Sequence, residues 1–171
     1  MSLQSLNLNW YCIYVKSRHE FKVFERLTKE GIVAFFPVVE RLRKWKDRKK
    51  LIKFPLFPGY LFVQIEKNYE IYLKVLKTPG VVCFLKNSSG ELEVVPEEQI
   101  IPIKKALENK REVDSYPYLK EGQKVRIKRG PLEGVTGILK KKEKNHYLIL
   151  SIDILQRAVS VKIEATEVEV V

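Results

Sequence analysis

Thirteen residues, Arg41–Lys53 (RLRKWKDRKKLIK), carry eight lysines and arginines, one aspartate and a tryptophan. A run this cationic suits a polyanion, with phosphates for the cations and an unpaired base or apolar surface for the indole. A solvated charged loop is the other reading of the same run. The candidate contacts are Arg43, Lys44, Trp45, Lys46, Arg48, Lys49 and Lys50. Directly after this run, Phe54–Ile65 reads FPLFPGYLFVQI, the most apolar segment of the chain, with two prolines and a glycine in it. Pro-Gly does not belong inside a paired strand, so the break reads as a turn. The aromatics crowded around it either fill a core or form a surface on which another molecule docks.

Bond-making chemistry is not legible. There is no phosphate-cradling glycine loop, no nucleophile elbow and no cluster of His, Asp and Glu at a useful spacing. The two histidines, His19 and His146, are too few for a metal site, and the two cysteines, Cys12 and Cys83, each sit among apolar neighbours (WYCIYV, GVVCFL). They read as buried thiols of a reducing compartment. The expectation is a non-enzyme with no cofactor and no metal. The chain has 171 residues, 45% of them apolar, and a net charge of +11. That fits one or two globular domains attracted to polyanions. No apolar run is long enough to span a membrane, and the start, MSLQSLNLNW, lacks the basic region of a signal peptide. A cytoplasmic monomer without membrane contact is expected.

The elements that must carry these residues follow from periodicity. NWYCIYV (Asn9–Val15) reads as a buried strand. A helix follows, with Ser17 and Glu20 at capping-box spacing and Gly31 at its end. Phe21, Val23, Phe24 and Leu27 fall on one side of it and Arg18, Lys22, Arg26 and Lys29 on the other. Ile32–Glu40 reads as a strand in which Pro37 marks an edge or bulge. The basic run is then a protruding hairpin or loop. YLFVQI is a strand, NYEIYLKVL a short helix ended by Thr78-Pro79-Gly80, and VVCFLK a strand. A further helix runs from Pro96 to about Lys110. The fold class is α+β: an antiparallel-sheet α/β sandwich over residues 8–110, a linker over 111–117, and a small β-barrel over 118–171. Five short apolar segments separated by turns (QKVRIK, GVTGILKK, HYLILSID, AVSVKI and TEVEVV) supply the barrel strands.

Within the barrel, GQKVRIKRGPLEGVTGIL runs strand, Gly-Pro loop, glycine, strand, and resembles the KOW motif of a five-stranded barrel. WYCIYVKSRHEFKVFERL, LFPGYLFVQI and KTPGVVCFL precede it in that order. Together they resemble the NusG family of transcription elongation factors over nearly the whole chain. The RHE start and the RKWKDRKK…PLFPGY block look most like the specialised UpxY and RfaH type.

The resemblance implies an N-terminal domain that docks on the clamp coiled coil of bacterial RNA polymerase and suppresses pausing or termination. The implied docking residues are Tyr14, Phe57, Pro58, Tyr60 and Phe62, with Phe36 and Pro37 at the edge. Lys16, Arg26, Lys29 and Thr78 are the implied contacts to the displaced non-template DNA strand. The polar, Thr-rich stretch with which RfaH-type factors touch the opposite polymerase lobe is EIYLKV here, a departure that leaves that contact without its usual residues. The barrel's implied partner is a small-subunit ribosomal protein or the termination factor Rho, bound through Leu132, Ile154, Leu155 and Arg157. The family's aromatic followed by Gly-Arg is Leu155, Gln156 and Arg157 here. Two alternatives stand beside this reading. One is a ribosome-associated RNA-binding KOW module, and the other is the housekeeping factor acting with Rho.

Overall fold

A computed structural model describes residues 7–171. In chain order the elements are β1 (Leu8–Val15), α1 (Glu20–Lys29), β2 (Val33–Phe35), β3 (Val38–Trp45), β4 (Arg48–Pro55), β5 (Tyr60–Glu66), α2 (Tyr69–Leu76), β6 (Val81–Phe84), β7 (Val94–Val95) and α3 (Glu97–Glu108). Strands β8 (Val113–Pro117), β9 (Lys124–Ile127), β10 (Thr136–Lys142), β11 (Asn145–Ile152), β12 (Arg157–Ile163) and β13 (Val168–Val170) complete the chain. They form a mixed α+β architecture of two compact units. One holds residues up to Phe36 together with Phe57–Glu97, and the other holds Pro37–Leu56 with Glu98–Val171.

The first unit is built on an antiparallel sheet of order β2-β5-β1-β6, with β7 also paired to β1. Strand β1 is buried from Trp10 to Val15 except at Tyr14, as a central strand covered on both faces must be. Val23 and Leu27 of α1 and Val75 of α2 are fully buried, with Ile13, Leu61 and Val63 of the sheet. Two expectations are corrected here. Ser17 and Glu20 make no capping box: the cap position of α1 is His19, with no side-chain cap bond. Glu20 is instead buried and accepts a hydrogen bond from the Gly59 amide at 3.2 Å. The strand expected over Ile32–Glu40 is two strands, β2 paired with β5 and β3 paired with β4. Pro37 lies at the break, where it has no N–H to continue a ladder, and its carbonyl accepts from Leu56 N at 2.9 Å.

The second unit holds a six-stranded antiparallel sheet of order β13-β9-β10-β11-β12-β8, and the β3–β4 hairpin. A closed five-stranded barrel was expected. Among the described residues no ladder joins the end strands β13 and β8, so the sheet is open, and the sixth strand comes from the stretch expected as linker. Val113 is buried, and Val113–Pro117 pairs with Arg157–Val161. Arg111, just before it, makes a two-pronged ion pair with Glu167 at 2.6 and 3.2 Å. The stretch looks polar because Val113 alone is fully buried, while Asp114, Ser115 and Pro117 stay exposed on the edge strand.

Candidate functional site

Two glycine turns build the end of β1. Val15 N donates to Gly59 O and Lys16 N to Gly80 O, both at 2.8 Å. Gly59 has φ +88°, and a Cβ there would stand 3.1 Å from the Tyr14 ring. Gly80 has φ +100°, and its Cβ would stand 2.6 Å from Val23 Cγ2. Only glycine combines this backbone with so close an approach. The Pro58-Gly59 turn therefore rests against Tyr14, which is 40% exposed. Tyr60 lies opposite Tyr14 in the ladder, its ring 5.4 Å away. Pro58 is exposed beside them and Tyr60 is half-buried. The result is a rigid aromatic patch of Tyr14, Pro58 and Tyr60, tied to α1 through Glu20.

The remaining residues expected on this surface are elsewhere. Phe57 and Phe62 are buried, ring to ring at 6.2 Å, and Phe62 also packs on Phe35. Phe62 shares the strand face of Tyr60 two positions further along, and it is buried there because Phe35 and Phe57 cover it. Phe36 is buried too, edge-on to Phe21 at 4.9 Å, and Pro37 is buried. Phe21 was missed as a surface candidate. It belongs to the apolar stripe of α1, yet it is 44% exposed, and spacing alone does not separate the rim of such a stripe from its centre.

Among the nucleic-acid candidates, the hairpin is fully presented. Arg43, Lys44, Trp45, Lys46, Arg48, Lys49 and Lys50 are all exposed, Trp45 at 63%. The strands turn at Lys46-Asp47, with Arg43 facing Lys50, Lys44 facing Lys49 and Trp45 facing Arg48. Like charges opposite one another destabilise a hairpin, and among the described residues none of these cations has an ion-pair partner. Arg43 also lies over the Phe54 ring at 5.2 Å, and at the base Arg41 pairs with Asp114.

The second group is dispersed. Lys16 is exposed at the end of β1. Arg26 donates to Pro79 O at 2.7 Å and Lys29 pairs with Glu25 at 3.0 Å. Thr78 is withdrawn: it is buried, and its hydroxyl donates to Lys74 O at 2.9 Å. In the second unit Leu132 is buried and forms no exposed tip. Ile154 and Leu155 are half-buried in a short 3-10 turn, and Arg157 is exposed. Gln156 stands between them at φ +50°.

No three His, Cys, Asp or Glu groups among the described residues are placed to hold a metal. No helix there is long and apolar enough to cross a membrane. Burial pushes the Cys12 thiol far above its ordinary range, with Cys83 adding to the effect. Such a thiol is inert.

Residues 8–105 match the family model described as "Transcription termination factor nusG". A transcription termination/antitermination protein NusG of Halalkalibacterium halodurans is 26% identical over 175 residues, which cover 94% of this chain and 97% of that protein. Its counterpart in Staphylococcus epidermidis is 28% identical over 174 residues and 94% of each chain. Among solved structures, "Domain interaction in Thermotoga maritima NusG" matches with a TM-score of 0.54 at 27% identity, covering 95% of this chain and 97% of that one.

Proposed function

This chain belongs to the NusG family of transcription termination/antitermination factors, and on that premise we propose that it docks on the clamp coiled coil of RNA polymerase through Tyr14, Pro58 and Tyr60 and suppresses pausing or termination. We take residues 8–110 as the docking domain, in keeping with a family match that ends at residue 105. The observation that carries this reading is Tyr14. It is the one exposed side chain in the otherwise buried run from Trp10 to Val15, and the Gly59 turn packs closely against its ring. A rigid aromatic loses little entropy on binding and makes a good hot spot.

The basic hairpin is the second contact, to polymerase or upstream DNA, and Lys16, Arg26 and Lys29 approach the displaced strand. On the second unit, Ile154, Leu155 and Arg157 receive a small-subunit ribosomal protein or Rho. The UpxY and RfaH type is favoured by the charge of the hairpin, and failure to stimulate Rho would distinguish it from a housekeeping factor. The working compartment is the cytoplasm.

The test is binding of the full chain to core polymerase. Tyr14→Ala and Tyr60→Ala are each expected to weaken it by about tenfold or more, with the thermal midpoint close to that of the parent. Parental affinity in both variants would refute the docking surface.

A further inference from the structure

A second cationic cleft, of about 400 Å3, opens on the C-terminal sheet, lined by Lys140, Lys141, Lys142, Tyr116, Tyr147 and Ser160. The ladder explains its order. Lys140 on β10 faces Tyr147 on β11, and Tyr147 faces Lys162 on β12. Paired residues share a face of the sheet, so an aromatic ring stands between two lysines. Lys142 follows two positions beyond Lys140, on the same face. Tyr147 packs on the Ile138, Ile149 and Ala158 cluster, which anchors the ring while it lines the cleft.

The acids on the far wall are already neutralised. Asp114 pairs with Arg41, and Glu112 lies 3.7 Å from Lys162. Among the described residues Lys140, Lys141 and Lys142 pair with no acid. On the face of Tyr147 the cleft therefore keeps two uncompensated charges, Lys140 and Lys142, while Lys141 lies opposite His146 on the other face.

We propose that this cleft binds a single strand of nucleic acid, one base stacking on Tyr147 and its neighbouring phosphates held by Lys140 and Lys142. Every base offers a π-face when unpaired, and a duplex hides it. A strand leaving past Asp114 meets Arg41, at the base of the hairpin that carries Arg43, Arg48 and Lys50. One continuous cationic path then serves both elements of this unit.

The test uses the full chain without polymerase, so its failure is separate from that of the docking surface. Labelled oligouridylate and oligothymidylate of about 12 nucleotides, within the span of such sites, are titrated by anisotropy at several salt concentrations. Lys140→Ser and Lys142→Ser together are expected to weaken binding about tenfold and to lower the salt slope by about 1.4, near 0.7 for each phosphate left without its lysine. Tyr147→Leu is expected to weaken it about fivefold or more with the slope unchanged, while Tyr147→Phe binds normally. Both effects persist when the hairpin cations are serine. Tighter binding of uridylate identifies RNA as the natural strand, and tighter binding of thymidylate identifies DNA. Parental affinity in the double serine variant overturns the proposal. So does a folded Tyr147→Leu variant that binds normally, since the cleft would then be a plain polyanion site.

Discussion

Gln156 holds a left-handed backbone at φ +50° without being glycine. That conformation costs a residue with a Cβ about 1–2 kcal/mol, and the bond from its amide to Asp153 O at 2.8 Å is exposed and offsets little. Gln156→Gly is expected to stabilise the chain by about 0.5–1 kcal/mol once the greater freedom of unfolded glycine is subtracted, read as a higher thermal midpoint. A lower midpoint would mean that the amide bond outweighs the strain. Residue identities made the Pro58-Gly59 turn legible in the sequence, because few residues other than glycine tolerate such a backbone. They did not separate Tyr14 from Phe57 and Phe62, or reveal that Thr78 and Leu132 are buried. Those outcomes depend on which distant residues pack over each position, since Tyr60 and Phe62 share one strand face, and Glu20 left its capping role for the Gly59 amide only because the turn lies within reach.

At the scale of elements, the hairpin places like charges opposite one another at Arg43 and Lys50 and at Lys44 and Lys49. Replacing Lys44, Lys46, Arg48 and Lys49 with serine is expected to flatten the salt dependence of binding to nucleic acid or to the transcription complex, by about 0.9 for each duplex phosphate left without its cation. An unchanged slope would leave these cations as a solvated surface. Strand β8 depends on a different interaction. The Arg111–Glu167 pair has side chains only 22% and 14% exposed. The hydrogen bond from Arg111 is the main reason the Glu167 carboxyl is held below the usual range, with burial opposing it, and the same bond raises Arg111. A lowered carboxylate contributes stability above its unfolded pKa and loses it as the pH falls through the folded value. Glu167→Gln is therefore expected to cost about 1–2 kcal/mol at neutral pH and progressively less below about pH 4. An equal cost at both pH values in denaturant melts would exclude the ionic contribution. The strand over Val113–Pro117 was hidden in the sequence because three of its five residues are exposed, and a polar edge strand looks like a linker.

For the whole molecule, the family and the mixed α+β architecture were legible, because ordered motifs along the chain are carried by local turns and strand periodicity. The open sixth strand and the single exposed tyrosine of β1 arise from long-range pairing, which no local pattern encodes. The central claim, a factor that acts on elongating polymerase through one aromatic patch, is tested most directly by single-round transcription from a promoter with bacterial RNA polymerase. Pause lifetimes are measured with the full chain, with Tyr14→Ala, and with the full chain plus free clamp coiled-coil fragment. The parent is expected to shorten the pauses, and both the substitution and the competing fragment to abolish the effect. Shortened pauses that survive both would contradict the account.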